Sequence, residues 1–414
     1  MTKTSKTIAW ALAGAGFLAG TVGVVLRITQ GHHMANYGSY IPWGLWVAAY
    51  IYLIGLSAGA FLLSTLVYVF RVKRLEGVGK LALFTALITL FGAMLLVWFD
   101  LGHPLRAYRL ITHTHFTSMM GWMAWLYTSY FVLLLVELWF AIRADLAACA
   151  NDPGLRGKLC GFLTFGRRDQ STESIERDHR ILKILGSIGV PLAVAFHGGV
   201  GALFGVVGAR PFWHGGLTPI VFLVGALVSG GALLTFLTVL WGPDRGSRAH
   251  RNTVIFLGQI VLGLLALDVL LEWAEYSTGL ISAVPSMTES IRLVMFGPYW
   301  WAFWIVHVIL GVIVPAALLT FRGRSKAAIG WAGALIASTF LTVRLNIVLP
   351  GLDVEELAGL KHAFTGPGLT FNYYPSLGEW LVFVWVVSLA GILFLTGYQL
   401  LPIIRQKEVV RHGR

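Results

Sequence analysis

The chain has 414 residues, of which 57% are hydrophobic and 12% charged, with a mean hydropathy of +0.75. Soluble domains carry about 25% charged residues, so the polar surface is too small for a water-soluble globule; a soluble enzyme, a nucleic-acid binder and a disordered scaffold are excluded. The formal net charge of +12 therefore belongs to a membrane protein, and its apolar residues run unbroken rather than alternating, which excludes an outer-membrane barrel.

A hydrocarbon core of about 30 Å takes about 20 apolar residues per helix. Ten stretches satisfy this: 8–28, 43–70, 80–101, 117–143, 181–208, 217–241, 253–275, 299–321, 327–349 and 380–402. The expected fold class is all-α, a polytopic transmembrane protein of about ten helices. The first stretch is long for the apolar core of a signal peptide and no clear small-x-small cleavage site follows it, so it reads as a helix. Aromatics at 13%, including 16 Trp, fit interfacial belts.

Lys and Arg set the orientation. Both termini and the loops at 71–80, 143–183, 242–252 and 322–326 hold 24 of the 31 basic residues. The loops at 102–116, 209–216, 276–298 and 350–379 hold five, and Arg27 and Arg344 lie at or inside helix ends. The basic side is expected to be cytoplasmic and the other periplasmic, in a bacterial inner membrane with both termini cytoplasmic. The net charge is mostly this asymmetry, with some attraction to anionic lipid headgroups, and calls for no nucleic acid. Cys149 and Cys160 both fall in the loop at 144–180, which reads as a solvated connector. A reducing compartment argues against a disulfide there, and two cysteines are no cluster ligand set, so no metal is expected on this chain.

Two segments echo each other. Residues 53–63 read LIGLSAGAFLL and 223–234 read LVGALVSGGALL, each near the start of a helix running from periplasm to cytoplasm. They suggest two parallel four-helix bundles with one flanking helix at each end; small-residue seams that recur for close helix packing give the same pattern. The corresponding division is 1–42 (first helix and periplasmic loop), 43–208 (first bundle), 209–349 (second bundle) and 350–414 (periplasmic loop, last helix, cytoplasmic tail).

An ionisable side chain in the hydrocarbon core costs at least about 2.5–3.5 kcal/mol, so each one asks for a reason. Asp100, Glu137, Asp268, Glu272, Glu275 and Glu379 lie in or at the ends of spans, with His197, His307 and Arg344. Asp268, Glu272 and Glu275 are spaced i, i+4, i+7 and share one helix face. They read either as a proton path or as structural partners of Arg344 or Arg292. His197 and His307 admit a bis-His haem, an ordinary hydrogen bond within the bundle or, for His197, proton exchange with a quinone carbonyl. A third cluster is periplasmic. Asp100 and His103 precede a Pro turn followed by Arg106 and Arg109, at the level of Trp43, Trp46, Tyr50, Tyr52, Tyr127 and Tyr130. An acid, a His and Tyr hydroxyls at one depth suit a ring with two carbonyls; the Trp and Tyr alone would be an interfacial belt, and Arg106 and Arg109 either anchor at the interface or steer a partner.

At these residues the chain resembles the NrfD/PsrC family of polysulfide-reductase-type membrane subunits, closest to its ten-helix members in periplasmic hydrogenase and molybdopterin oxidoreductase complexes. The resemblance is carried by PWGLWVAAYIYLIGLSAGA (42–60), FDLGHPLRAYR (99–109), FHGGVGALFG (196–205), RPFWHGGLTPIVFLVGALVSGGALL (210–234), VRLNIVLPGL (343–352) and YYPSLGEWLVF (373–383). It implies two four-helix bundles, a quinone site (menaquinone or ubiquinone) near the periplasmic end of the first, and no haem. It also implies a four-cluster ferredoxin-like iron–sulfur subunit on the periplasmic face, joined to a molybdopterin or hydrogenase catalytic subunit or a multihaem cytochrome.

By matched position, Asp100 and His197 become the proton-exchange candidates. Tyr50, Asp100, His103, Tyr130 and His197 form the expected quinone-binding set, with Tyr50 standing where short members have His. Glu137, Asp268, Glu272, Glu275, Arg344 and Glu379 form the expected proton path; Arg344 and Asn346 match a polar pair and Glu379 the acid opening the last helix. The expected function is a quinone-interacting anchor subunit that exchanges electrons with an iron–sulfur partner. The alternatives are a proton-translocating module, a secondary transporter and a structural anchor.

Overall fold

The computed structural model describes residues 3–364 and 366–404; the tail from 405, expected in the cytoplasm, lies outside the described residues. Among these the fold is all-α, without a strand. Ten long helices follow one another: α1 (Lys3–Gln30), α2 (Leu45–Tyr68), α3 (Gly79–Asp100), α4 (Met119–Cys149), α5 (Thr172–Gly205), α6 (Thr218–Trp241), α7 (Arg248–Leu280), α8 (Ala302–Phe321), α9 (Lys326–Asp353) and α10 (Leu377–Leu400). Each overlaps one of the stretches read from the sequence, most of them with ends shifted by a few residues. Nine of them, all but α4, are long and apolar enough to cross a membrane among the described residues. α4 has 31 residues and carries Glu137, Arg143 and Asp145 along its second half.

Serines start four of these helices. Ser171, Ser247 and Ser325 accept a hydrogen bond from the amide three residues on, at α5, α7 and α9. Ser376 and Glu379 form a reciprocal capping box at α10. Such caps satisfy amides that a helix start would otherwise leave bare in a low-dielectric setting.

The two echo segments meet. α2 touches α3, α5, α6 and α9, and α6 touches α2, α5, α7 and α9, so these two helices are the centre of the molecule. A Cβ on Gly59 would stand 2.0 Å from the carbonyl oxygen of Ala226, and one on Gly230 would stand 2.6 Å from the Gly59 Cα. Backbone meets backbone here, which only glycine permits, and dispersion between closely approached helices replaces the hydrophobic drive that lipid cannot supply. Gly59→Leu is therefore expected to destabilise the folded chain by about 1–3 kcal/mol or more through overpacking; thermal unfolding in detergent would register it, and an unchanged midpoint would contradict this packing.

α1 lies outside this core, against α10, and exposes Leu12, Leu18 and Ile28. That is the surface a lipid-facing flanking helix needs.

The segment 144–180 corrects the sequence reading. It is largely exposed, as a connector would be, but it is ordered by helices: α4 runs to Cys149, a helix spans Leu155–Leu163, and α5 starts at Thr172. Arg143 is buried and organises it, donating Nε to Asp178 at 2.5 Å, Nη1 to the Asp169 carbonyl at 2.6 Å and Nη2 to Ser174 at 2.9 Å. The expectation against a disulfide is corrected too. Cys149 and Cys160 are paired, with Cα atoms 5.8 Å apart, a separation typical of a bridge. The turn after α4 lays the next helix beside its end, a local proximity that an argument from compartment cannot see.

Two further features were not legible. The loop expected at 276–298 contains a helix, Pro285–Met295. The first twelve residues of α8, Ala302–Ile313, wind as a π-helix before an α-helix resumes at Val314. π-Winding is rare and concentrates at functional sites.

Candidate functional site

Asp100 is the last residue of α3, and the fold surrounds it with segments distant in sequence. Arg27, near the end of α1, donates Nε to the Phe99 carbonyl at 2.7 Å and Nη2 to the Leu101 carbonyl at 2.8 Å. It also lies 3.3 Å from His32 and stacks 5.8 Å over the Trp46 ring. Arg27 thereby clamps the chain on both sides of Asp100 and places a cation beside its carboxyl. The Tyr37 ring packs edge-on against Trp46 at 5.7 Å and lies 6.0 Å from Tyr373.

Tyr373 and Glu379 close the site from the last loop. The Tyr373 hydroxyl accepts from the Leu45 amide at 2.8 Å and donates to Glu379 Oε1. Glu379 Oε2 accepts from the amides of Asn36 (3.1 Å) and Ser376 (2.8 Å), and its carbonyl accepts from Trp46 Nε1 (3.0 Å). Glu379 is fully buried; a buried carboxylate persists only with such partners. Desolvation and the neighbouring Asp100 and Glu379 carboxyls push the Tyr37 phenol well above its ordinary range. Desolvation and Glu379 do the same for Tyr373. Both phenols therefore stay neutral donors throughout the physiological range.

Two polar atoms at this site remain open. Asp100 Oδ1 and the Tyr37 hydroxyl are buried close to each other, and neither makes a well-formed hydrogen bond among the described residues. Buried polar groups are nearly always paired, so this donor and acceptor are satisfied by each other after a small shift, by a water or by a guest that accepts from Tyr37. Next to it lies an aromatic wall: Tyr50 is 6.4 Å from Tyr127, and Phe196 contacts Tyr127 at 4.6 Å and Tyr130 at 5.0 Å. The Tyr127 hydroxyl faces that of Tyr50 without a well-formed hydrogen bond, whereas Tyr130 reaches the Ser57 carbonyl at 3.5 Å. A flat ring bearing oxygens at both ends matches an acid, two phenols and aromatic walls.

The fold gathers part of the expected set and disperses the rest. Asp100 and Tyr50 fall in or beside this site, and Tyr130 stands at the inner end of the wall. Glu379, expected in a proton path with the α7 acids, belongs here instead. His103 is exposed outside the site, since the chain turns away after Leu101. Glu137 is buried on α4 toward Gly189 of α5, with Oε1 unpaired. Arg27, Tyr37 and Tyr373 were not read as members; Tyr127 was placed at this depth but left out of the expected quinone-binding set, and Tyr373 lies in the 373–383 segment that opens with the last loop.

His197 faces the other way. It is fully buried, and its Nε2 donates to the Phe222 carbonyl of α6 at 2.7 Å, leaving Nδ1 as the unpaired acceptor. Arg344 of α9 reaches the same carbonyl at 3.4 Å and stacks over the rings of Phe222 and Phe340 at 4.7 and 5.1 Å. Gly225 makes room for it, since a Cβ there would lie 2.8 Å from Arg344 Nη2. Beyond Arg344 stand Asp268, then Glu272 in a 2.9 Å contact with His307 Nε2 on the π-wound part of α8. Two of the three α7 acids, Asp268 and Glu272, are thus near Arg344 and His307. Among the described residues, no group of three or more His, Cys, Asp or Glu is placed to hold a metal ion.

Known proteins give this geometry a context. A selenate reductase subunit of Mesobacillus selenatarsenatis is 37% identical over 406 residues, 96% of this chain and 95% of that protein. The Hdr-like menaquinol oxidoreductase integral membrane subunit of Archaeoglobus fulgidus is 26% identical, covering 89% of this chain and 87% of that one. The menaquinone reductase integral membrane subunit of Nitratidesulfovibrio vulgaris is 22% identical, covering 92% and 87%. The family model for polysulphide reductase, NrfD, matches residues 32–354, which include α2 through α9, Tyr37 and Asp100. An all-helical membrane fold, an Asp-Leu-Gly-x-Pro-x-Arg turn closing α3 and a family match over most of its length together make this chain a member of the polysulphide reductase NrfD family.

Proposed function

We propose that the chain is the quinone-interacting membrane subunit of a respiratory oxidoreductase complex in a bacterial inner membrane, with both termini cytoplasmic. The observation that carries this is the buried Asp100 carboxyl and Tyr37 hydroxyl, side by side and without a well-formed hydrogen bond, next to an aromatic wall at one end of the helices. Relatives named as menaquinol oxidoreductase and menaquinone reductase membrane subunits support the same reading. A menaquinone or ubiquinone bound here would supply two-electron, two-proton chemistry.

The protein's part is to bind, orient and exchange protons. Tyr37 donates a hydrogen bond to the ring oxygen, and Tyr50 and Tyr127 hold the ring plane. Asp100 takes or gives the proton at Oδ1, while Arg27 fixes the turn that carries it. The electrons pass to or from a four-cluster ferredoxin-like subunit on the periplasmic face. That subunit is joined in turn to a molybdopterin or hydrogenase catalytic subunit.

One further observation favours proton movement in the second half of the chain. Arg344, Asp268, Glu272 and His307 lie near one another across α7, α8 and α9, with Glu272 and His307 in contact, and Arg344 and His197 share the Phe222 carbonyl. In this second reading the complex also moves protons across the membrane, with Glu137 and Glu275 as further stations. Equilibrium binding of a short-chain menaquinol analogue to the purified complex tests the main reading. Saturable binding at one site per chain is expected, and its absence in an assembled complex would refute it.

A further inference from the structure

At the basic end of the helices two loops meet. The turn after α6 contributes Gly246 and Ser247, and the start of α7 contributes Arg248 and Arg251; the α8–α9 turn contributes Arg324 and Lys326. These six residues line a cavity of about 410 Å³, within the range of about 300–1,000 Å³ usual for small-molecule sites. Arg251 donates to the Arg324 carbonyl at 3.5 Å, joining loops more than seventy residues apart. None of the four cations stands in an ion pair among the described residues. Asp244 on the preceding turn has an interaction of its own.

Four like charges converging on one cavity repel each other, and the arrangement is relieved by an anion that several can share. Guanidinium groups suit a phosphate because each can offer two parallel donors. The place of this open depression along the helices selects the source. It sits at the ends of three transmembrane helices, with Phe321 and Trp331 exposed nearby on α8 and α9; apolar and aromatic surface beside a cationic cavity is what a headgroup with its chains meets at a bilayer edge.

We propose that Arg248, Arg251, Arg324 and Lys326 form a binding site for the phosphate of an anionic phospholipid headgroup. The site is separate from the quinone reading and stands or falls without it. The test is binding of phosphatidylglycerol to the purified full chain in detergent, followed by native mass spectrometry. The comparison is wild type, R248Q/R251Q, R324Q/K326Q and a control pair on another basic loop, R71Q/K73Q.

Each site pair is expected to weaken binding about 30-fold, at roughly 1 kcal/mol per basic residue. The control pair should leave it unchanged, and phosphatidylcholine should bind weakly to all. Equal weakening by the control pair would overturn the proposal in favour of diffuse surface charge, as would binding that ignores headgroup charge. Millimolar inorganic phosphate is the second probe. If it occupies the same four residues and phosphatidylglycerol does not compete with it, the lipid assignment is overturned and the ligand is a soluble phosphate.

Discussion

Asp100→Asn is expected to lower quinone-linked turnover per assembled complex by roughly 10²–10⁴-fold, the usual share of a positioned general acid–base group. The substitution keeps the shape of the side chain. Arg27 retains its hydrogen bonds to the Phe99 and Leu101 carbonyls, so the turn stays in place. What is lost is a proton that can be taken and returned. Steady-state quinol oxidation in membranes, divided by complex abundance on immunoblots, measures it. Turnover at the wild-type level would remove Asp100 from the chemistry and move the search to His197 and the α7 acids. A fall in abundance with normal turnover per complex would make Asp100 a structural residue of a plain anchor.

Arg143→Met is expected to cost about 3–5 kcal/mol of stability, because it strands a buried carboxylate. Asp178 is buried, and Arg143 is its charged partner at 2.5 Å. Ser174 and the Asp169 carbonyl lose donors at the same time. The double variant R143M/D178L is expected to recover much of the loss, since removing both charges leaves nothing unpaired. Unfolding midpoints of the two variants and wild type in one detergent decide this. Equal destabilisation by the single and double variants would show that packing, not charge, holds the segment between α4 and α5.

How far the site was legible follows from what each residue depends on. Asp100 was visible because a carboxyl at the end of an apolar run has a cost that local sequence already states. Glu379 was visible for the same reason, as the acid opening the last helix. Their association was not: Arg27, Tyr37, Tyr373 and Glu379 come from α1, two loops and α10, and only chain-end packing brings them to α3. His103 illustrates the converse. It is three residues from Asp100 in sequence and outside the site in space, because the backbone leaves the helix at Leu101.

By itself the sequence determined the class, the positions of the ten helices and the distribution of charge between the two ends. These rest on the cost of polar groups in hydrocarbon and on one residue's distance from the next, both local quantities. It also carried the two glycine-rich segments. Only the tertiary structure decided that those segments pack on one another, that His197 turns to the Phe222 carbonyl and that Arg143 folds the 144–180 segment. The same holds for Cys149 meeting Cys160 and for the π-winding that sets His307 against Glu272. Each of these is a choice of partner across the fold, fixed by which helices touch and at what rotation, and no periodicity within a single helix encodes it.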